Sequence, residues 1–124
     1  MGNIIDHVVI YKMHKALEYL RVVLSEDGKE CPIQKATFFL SIILEEGLTQ
    51  DELKKGQGFH QTTVSRNIKE LGNCKKWDGD TETWIDHGCG LVFTKPNEYN
   101  RRKHSVFLTT LGRNVAKNVA MFLA

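Results

Sequence analysis

The stretch LTQDELKKGQGFHQTTVSRNIKELG, Leu48 to Gly72, constrains the fold more than any other part of the chain. Thr49, followed three residues later by Glu52, has the form of a capping box, in which each side chain satisfies a backbone donor at a helix start. The helix it opens is short, because Gly56 and Gly58 interrupt it within two turns. A second start follows at His60 to Thr62. Val64, Ile68 and Leu71 then form an apolar stripe at spacings of four and three, which Gly72 terminates. Leu53 and Phe59 supply matching apolar contacts. Two helices joined by so short a turn must cross at a steep angle.

With that stripe facing inward, Gln61, Thr62, Thr63, Ser65, Arg66 and Lys69 are left outward or flanking. A helix entering a DNA major groove needs such a set: amide and guanidinium groups that bond base edges, and small hydroxyls that bond phosphate without holding the backbone away. A merely solvated helix face would carry similar residues, so the helix alone leaves both readings open.

The flanking segments are mainly helical. Apolar residues from Ile5 to Leu24 recur at spacings of three and four, describing an amphipathic helix over about 4–24 that Gly28 stops. Pro32 fits the first turn of a second helix running through QKATFFLSIILEE to Gly47. Phe38, Phe39, Ile42, Ile43 and Leu44 make that helix the expected centre of the core. Near the other end, LVFT (91–94) and HSVFLT (104–109) are β-prone runs separated by KPNEYNRRK, the pattern of a hairpin over about 91–109. Its tip carries Lys95, Arg101, Arg102 and Lys103 against Glu98. Basic tips are often only solvated, but beside a helix-turn-helix such a hairpin can lie along the minor groove or the phosphate backbone.

The segment at about 110–124 is amphipathic through Leu111, Val115, Val119, Phe122 and Leu123 and ends on AMFLA, so it wants a partner. The first helix of the same chain or the terminal helices of a second copy could provide it. The second copy is the expectation, because two long terminal helices exceed what one small core must cover. The insertion NCKKWDGDTETWIDHGC, 73–89, is polar and lacks a helical period. It can be a loop, an extension of the preceding helix, or a strand around Thr83 to Asp86. Trp77 and Trp84 either serve a partner or anchor the insertion onto the core, and anchoring is the expectation.

Composition excludes several classes. At 124 residues, 41% hydrophobic and 26% charged, the chain suits a single soluble domain, 1–124, and its longest apolar runs fall short of the roughly 20 residues a bilayer requires. The N-terminus lacks the features of a secretory signal, so a cytoplasmic home with no membrane partner is expected. Three cysteines, Cys31, Cys74 and Cys89, are odd in number and lack a CxxC pair, against a disulfide framework or ordinary zinc site. Asp86, His87, Cys89 and Cys74 could in principle gather a metal, and a cysteine could sense redox state. The sequence decides neither, and no metal or cofactor is expected. No Ser/His/Asp set, paired carboxylates, phosphate loop or HExxH motif appears, and the five histidines are scattered, so no catalytic residue is assigned and an enzyme is not expected. Charge is polarised: residues 1–52 hold five Lys/Arg against nine Asp/Glu, whereas 53–124 hold twelve against six. The basic half contains the second short helix, as a surface facing a polyanion would.

The order helix, helix, helix-turn-helix, hairpin, helix resembles the winged-helix fold: mainly α with a small β-hairpin, its terminal helices forming a dimer interface. Local residues from about Ile33 to Gly112 resemble the MarR family of transcription regulators. LTQDEL resembles that family's entry into the helix-turn-helix (about 49–72), and TTVSRNIKEL resembles its recognition helix through Thr63, Val64, Ser65, Arg66 and Leu71. GLV at 90–92 and NRR followed by VFLTTLG resemble the wing and the start of the helix after it. The resemblance implies that Arg102 enters the minor groove and that Thr109 and Gly112 lead into a dimerisation helix. Departures are Asn100 in place of aspartate, Lys54 in place of a small residue, Gln57 in place of an apolar one, and the insertion at 73–89.

The expected function is sequence-specific binding of double-stranded DNA by a homodimer, as a transcriptional repressor or other regulator. Alternatives are a segregation or replication adaptor on repeated sites, and a protein-interaction module anchored by Trp77 and Trp84. The operator, the sign of regulation and any small-molecule effector cannot be read from the sequence.

Overall fold

A computed structural model describes residues 4–25 and 30–124. Gly28, the expected stop of the first helix, lies outside them, as does the side chain of Gln57. Five helices and two hairpins follow in the order α1 (His7–Val23), α2 (Ile33–Leu44), α3 (Gln50–Gln57), α4 (Gln61–Leu71), β1 (Cys74–Asp78), β2 (Thr83–His87), β3 (Val92–Pro96), β4 (His104–Leu108) and α5 (Thr110–Leu123).

Local chemistry sets the boundaries of these elements. Asp6 caps α1 by accepting hydrogen bonds from the amides of Val8 and Val9. Pro32 sits at the N-cap of α2, one position before the expected first turn, where extended backbone and a missing N–H are both tolerated. That helix ends at Leu44, short of Gly47, because Glu45 turns to φ −150° and ψ 89°. The turn brings Glu46 inward, where its carboxylate accepts the amide of Leu108 at 2.8 Å and the guanidinium of Arg113 at 3.0 Å.

The capping box of α3 forms as the spacing predicts. The Glu52 amide donates to Thr49 Oγ1 at 3.3 Å, and the Thr49 amide donates to Glu52 Oε1 at 3.1 Å. Gly58 ends α3 in the left-handed conformation at φ +70°, which an L side chain reaches only at a cost. The chain therefore reverses into α4 within three residues.

Phe38, Phe39 and Ile42 of α2 stand at the centre of the core with Leu20, Leu24, Leu53, Val64, Leu71, Leu91, Val92 and Val106. Each such aromatic contributes roughly 2–3 kcal/mol relative to exposure in water. Phe59, in the turn between α3 and α4, meets Phe38 edge to face at 5.4 Å, which fixes how α4 crosses the core. Antiparallel β3 and β4 pair from Val92–Leu108 to Pro96–His104. Residues 47–49 add a short third edge: the Gly47 amide donates to the Val106 carbonyl at 2.9 Å, and the Val106 amide to the Leu48 carbonyl at 3.0 Å.

One expectation is corrected. Residues 74–87 form a second antiparallel hairpin, and its tryptophans do not reach the core: Trp77 and Trp84 are cross-strand partners, 56% and 63% exposed, with ring centroids 5.5 Å apart. Pairing with each other satisfies the rings locally, because the hairpin projects from the end of α4 rather than folding back. The terminal helices also pack against each other within one chain. Tyr19 meets Phe122 at 5.4 Å, and Asn118 donates to the Tyr19 hydroxyl at 2.9 Å.

Candidate nucleic-acid interface

The amphipathic pattern of α4 is what presents its polar face. Val64 and Leu71 are buried and Ile68 half-buried, with Asn67 buried beside them. Gln61, Thr62, Arg66 and Lys69 are consequently exposed, and Thr63 and Ser65 flank them half-buried. Gln61 Nε2 approaches Ser65 Oγ at 3.5 Å, a contact weak enough to give way to a better partner. Among the described residues Arg66 and Lys69 carry no ion pair, so both cations face solvent.

The wing contributes unequally. Asn97 orders its tip: its Oδ1 accepts the amides of Tyr99 and Asn100 at 2.9 and 3.1 Å, and its Nδ2 donates to Ser105 Oγ at 2.8 Å. Asn100, where the resemblance would place aspartate, accepts the Arg102 amide through Oδ1 at 3.2 Å. An amide thus supplies the turn-forming acceptor, and the Arg102 guanidinium keeps its charge unpaired among the described residues. Arg102 lines a cleft of about 230 Å³ together with Gln61, Asp51 and His104. The fold therefore brings the wing arginine to the start of α4.

The other wing cations are engaged. Lys103 Nζ lies 3.0 Å from Asp51 Oδ2, joining the wing to α3, and it holds the Asp51 carboxyl below the usual range by hydrogen bonding and by charge. Lys95 Nζ sits 4.4 Å from the centre of the Phe107 ring, on the far side of the hairpin from that cleft's lining. Arg101 is exposed at the tip.

Sequence reasoning missed four contributors. Gln50 and His104 share the cleft with Arg102, and neither lies in a pattern that marks it. Lys75 and Lys76 of β1 line a groove of about 450 Å³ with Arg66 and Lys69. The adjacent lysine pair was visible in the insertion, but only the hairpin register places it beside α4. Burial raises the Cys31 thiol above its usual range, away from the thiolate that a metal ligand or redox sensor requires. Among the described residues no three His, Cys, Asp or Glu side chains gather to hold a metal, and no helix is long and apolar enough to cross a membrane.

No protein-family model and no curated protein matches the sequence. Solved structures do match. A MarR transcriptional regulator from Methanosarcina mazei Go1 covers 94% of this chain and 71% of its own length, with a TM-score of 0.57 at 21% identity. S. aureus MepR, in a complex with DNA, covers 94% and 79%, with a TM-score of 0.62 at 14% identity. This chain has the MarR winged-helix fold. A mutant E. coli MarR complexed with operator DNA superposes in the same way, over 95% and 72%, with a TM-score of 0.57 at 19% identity. In MarR-like terms α3 and α4 are the helix-turn-helix, and β3 and β4 are the wing.

Proposed function

We propose that this protein binds double-stranded DNA sequence-specifically as a homodimer and regulates transcription, in the simplest case as a repressor. The observation that carries this reading is the shared cleft of Gln61 and Arg102, which sets a base-reading helix face and a minor-groove cation side by side. In this arrangement Gln61, Thr62, Thr63, Ser65, Arg66 and Lys69 serve the major groove, Arg101 and Arg102 the minor groove. Lys95 and Lys103 are the adaptable members, since each must leave an internal partner to reach phosphate.

Support for the dimer comes from α1 and α5. Val8, Val9, Tyr11, Met13, Met121 and Leu123 are exposed although the two helices already pack together, an apolar surface suited to a second copy. A two-fold dimer reads an inverted repeat with half-site centres about 34–36 Å apart.

The test is selection of bound sequences from a random duplex library at about 100 mM salt. Enrichment of an inverted repeat supports the sequence-reading dimer, whereas clustered direct repeats favour a segregation or replication adaptor. Absence of binding even at about 25 mM salt excludes a DNA role, because phosphate contacts are strongest there. The exposed Trp77 and Trp84 would then direct attention to a protein partner.

A further inference from the structure

The hairpin formed by β1 and β2 is stiffened in ways that a two-stranded ribbon does not achieve by itself. Trp77 and Trp84 meet edge to face across it, and Lys75 Nζ meets Asp86 Oδ1 at 2.8 Å two pairs nearer the root. At the turn, Asp78 accepts the Asp80 amide and the Thr81 hydroxyl, both at 3.0 Å. The root is strapped to the end of α4: the Cys89 amide donates to the Glu70 carbonyl at 2.9 Å and the Leu91 amide to the Leu71 carbonyl at 2.7 Å. Such a hairpin is held in one orientation relative to α4.

That orientation puts charge in a specific place. Lys75 and Lys76 line the same groove as Arg66 and Lys69, and Lys76 is exposed opposite Ile85. The carboxylate in this groove, Glu70, is already engaged by the buried Lys35 at 3.3 Å. The groove is therefore strongly cationic, and it is continuous with the outward face of the recognition helix. Of the hairpin's acidic residues, Asp78, Asp80 and Glu82 lie at its far end, and Asp86, near the root, is engaged by Lys75. At about 3.3 Å per strand residue Asp78 is roughly 7 Å along the strand from Lys76 and roughly 10 Å from Lys75, about one Debye length at 0.1 M salt, so screening weakens the repulsion of the turn at the root.

We propose that this hairpin is a second wing, whose root lysines, Lys76 foremost, grip the DNA phosphate backbone at the C-terminal end of the recognition helix, opposite the grip of Arg102 at its N-terminal end. The proposal rests on the DNA-binding reading above and adds a contact surface that the two-stranded wing alone does not provide. Charge complementarity selects the phosphate backbone as occupant. Three cations unpaired among the described residues, Arg66, Lys69 and Lys76, beside a base-reading face match a polyanion, with Lys75 a fourth that must leave Asp86 to join them, and exposed ammonium groups contact phosphates without demanding a particular base sequence. The tryptophan pair lies outside this contact and acts as the staple of the ribbon.

The test is fluorescence anisotropy of the full chain on a labelled duplex carrying the selected site, with log Kd followed against log salt concentration. Each phosphate contact contributes about 0.9 to the slope on duplex DNA. Lys76→Gln should lower the slope by about 0.9, and Lys75→Gln combined with Lys76→Gln by up to about 1.8, with roughly 3- to 10-fold weaker binding near 100 mM salt on specific and random duplexes alike. Lys12→Gln on α1, remote from the groove, serves as the control and should change neither. A second readout is hydroxyl-radical footprinting, in which the double variant should lose backbone protection on one flank of each half-site. Wild-type binding with an unchanged slope and footprint in the double variant would overturn the second wing while leaving the DNA reading intact. Failure of the wild type to bind any duplex at about 25 mM salt would overturn both.

Discussion

Lys103 Nζ and Asp51 Oδ2 lie 3.0 Å apart, so the wing and the first helix of the helix-turn-helix are tied by an ion pair that stands in the cleft of Arg102. The pair neutralises a cation at the place where phosphate would bind. Asp51→Asn should therefore release Lys103 and tighten DNA binding several-fold at low salt, with the log–log salt slope steepening by up to about 0.9. Unchanged affinity and slope would mean that Lys103 never reaches the backbone.

The same pair gives a pH signature. Because Lys103 holds the folded-state Asp51 carboxyl below its usual range, the stabilisation is present above the ordinary carboxylate pKa and is lost as pH falls through the lowered one. The melting temperatures of wild type and Asp51→Asn should differ by a constant amount above about pH 5 and converge as pH falls through the lowered pKa of Asp51. Since both side chains are about half exposed, added salt should shrink the difference.

Arg66 and Arg102 should fail in distinguishable ways. Arg66→Ala is expected to cost on the order of 1–3 kcal/mol on the selected site and to relax base preference at one position. Arg102→Ala should weaken specific and random duplexes together and flatten the salt dependence. Equal losses on all sequences for Arg66→Ala would remove it from the base-reading set.

Gly112, at the start of α5, has no room for a side chain. A Cβ there would lie 2.1 Å from the Leu91 carbonyl oxygen, and backbone cannot swing aside as a side-chain tip can. Gly112→Ala should destabilise the fold by roughly 2–3 kcal/mol in urea unfolding, with most of the loss in the docking of α5.

The buried Lys35 offers a stability test at the edge of the cationic groove. The residue is 3% exposed and its ammonium pairs with Glu70, so Glu70→Gln, which strands the charge, should cost roughly 2–4 kcal/mol. Lys35→Met, which removes the buried charge and keeps the volume, should cost less. The reverse order would show that Glu70 is not the compensating partner.

How much of this was legible in the sequence follows from how local each determinant is. The capping box of Thr49 and Glu52 and the stripe of Val64, Ile68 and Leu71 involve residues a turn or two apart. Backbone hydrogen bonding and helical period make such patterns readable along the chain, and with them the polar face of α4. The wing was readable for the same reason, as two β-prone runs around a polar tip. Asn67 was not, because its burial depends on which neighbours close over α4.

Other features depended on tertiary placement. The tryptophans could have turned toward the core or toward each other, and only the register Trp77–Trp84 and the strapping of the hairpin root to α4 decided it. Likewise the sequence determined a basic tip, but the fold decided that Arg102 stays unpaired beside Gln61 while Lys103 meets Asp51 and Lys95 covers Phe107. Sequence by itself determined the elements and their polar faces, since these follow from short-range spacing. Tertiary structure decided which charges meet, since Coulomb energy depends on separation in space and takes no account of separation along the chain.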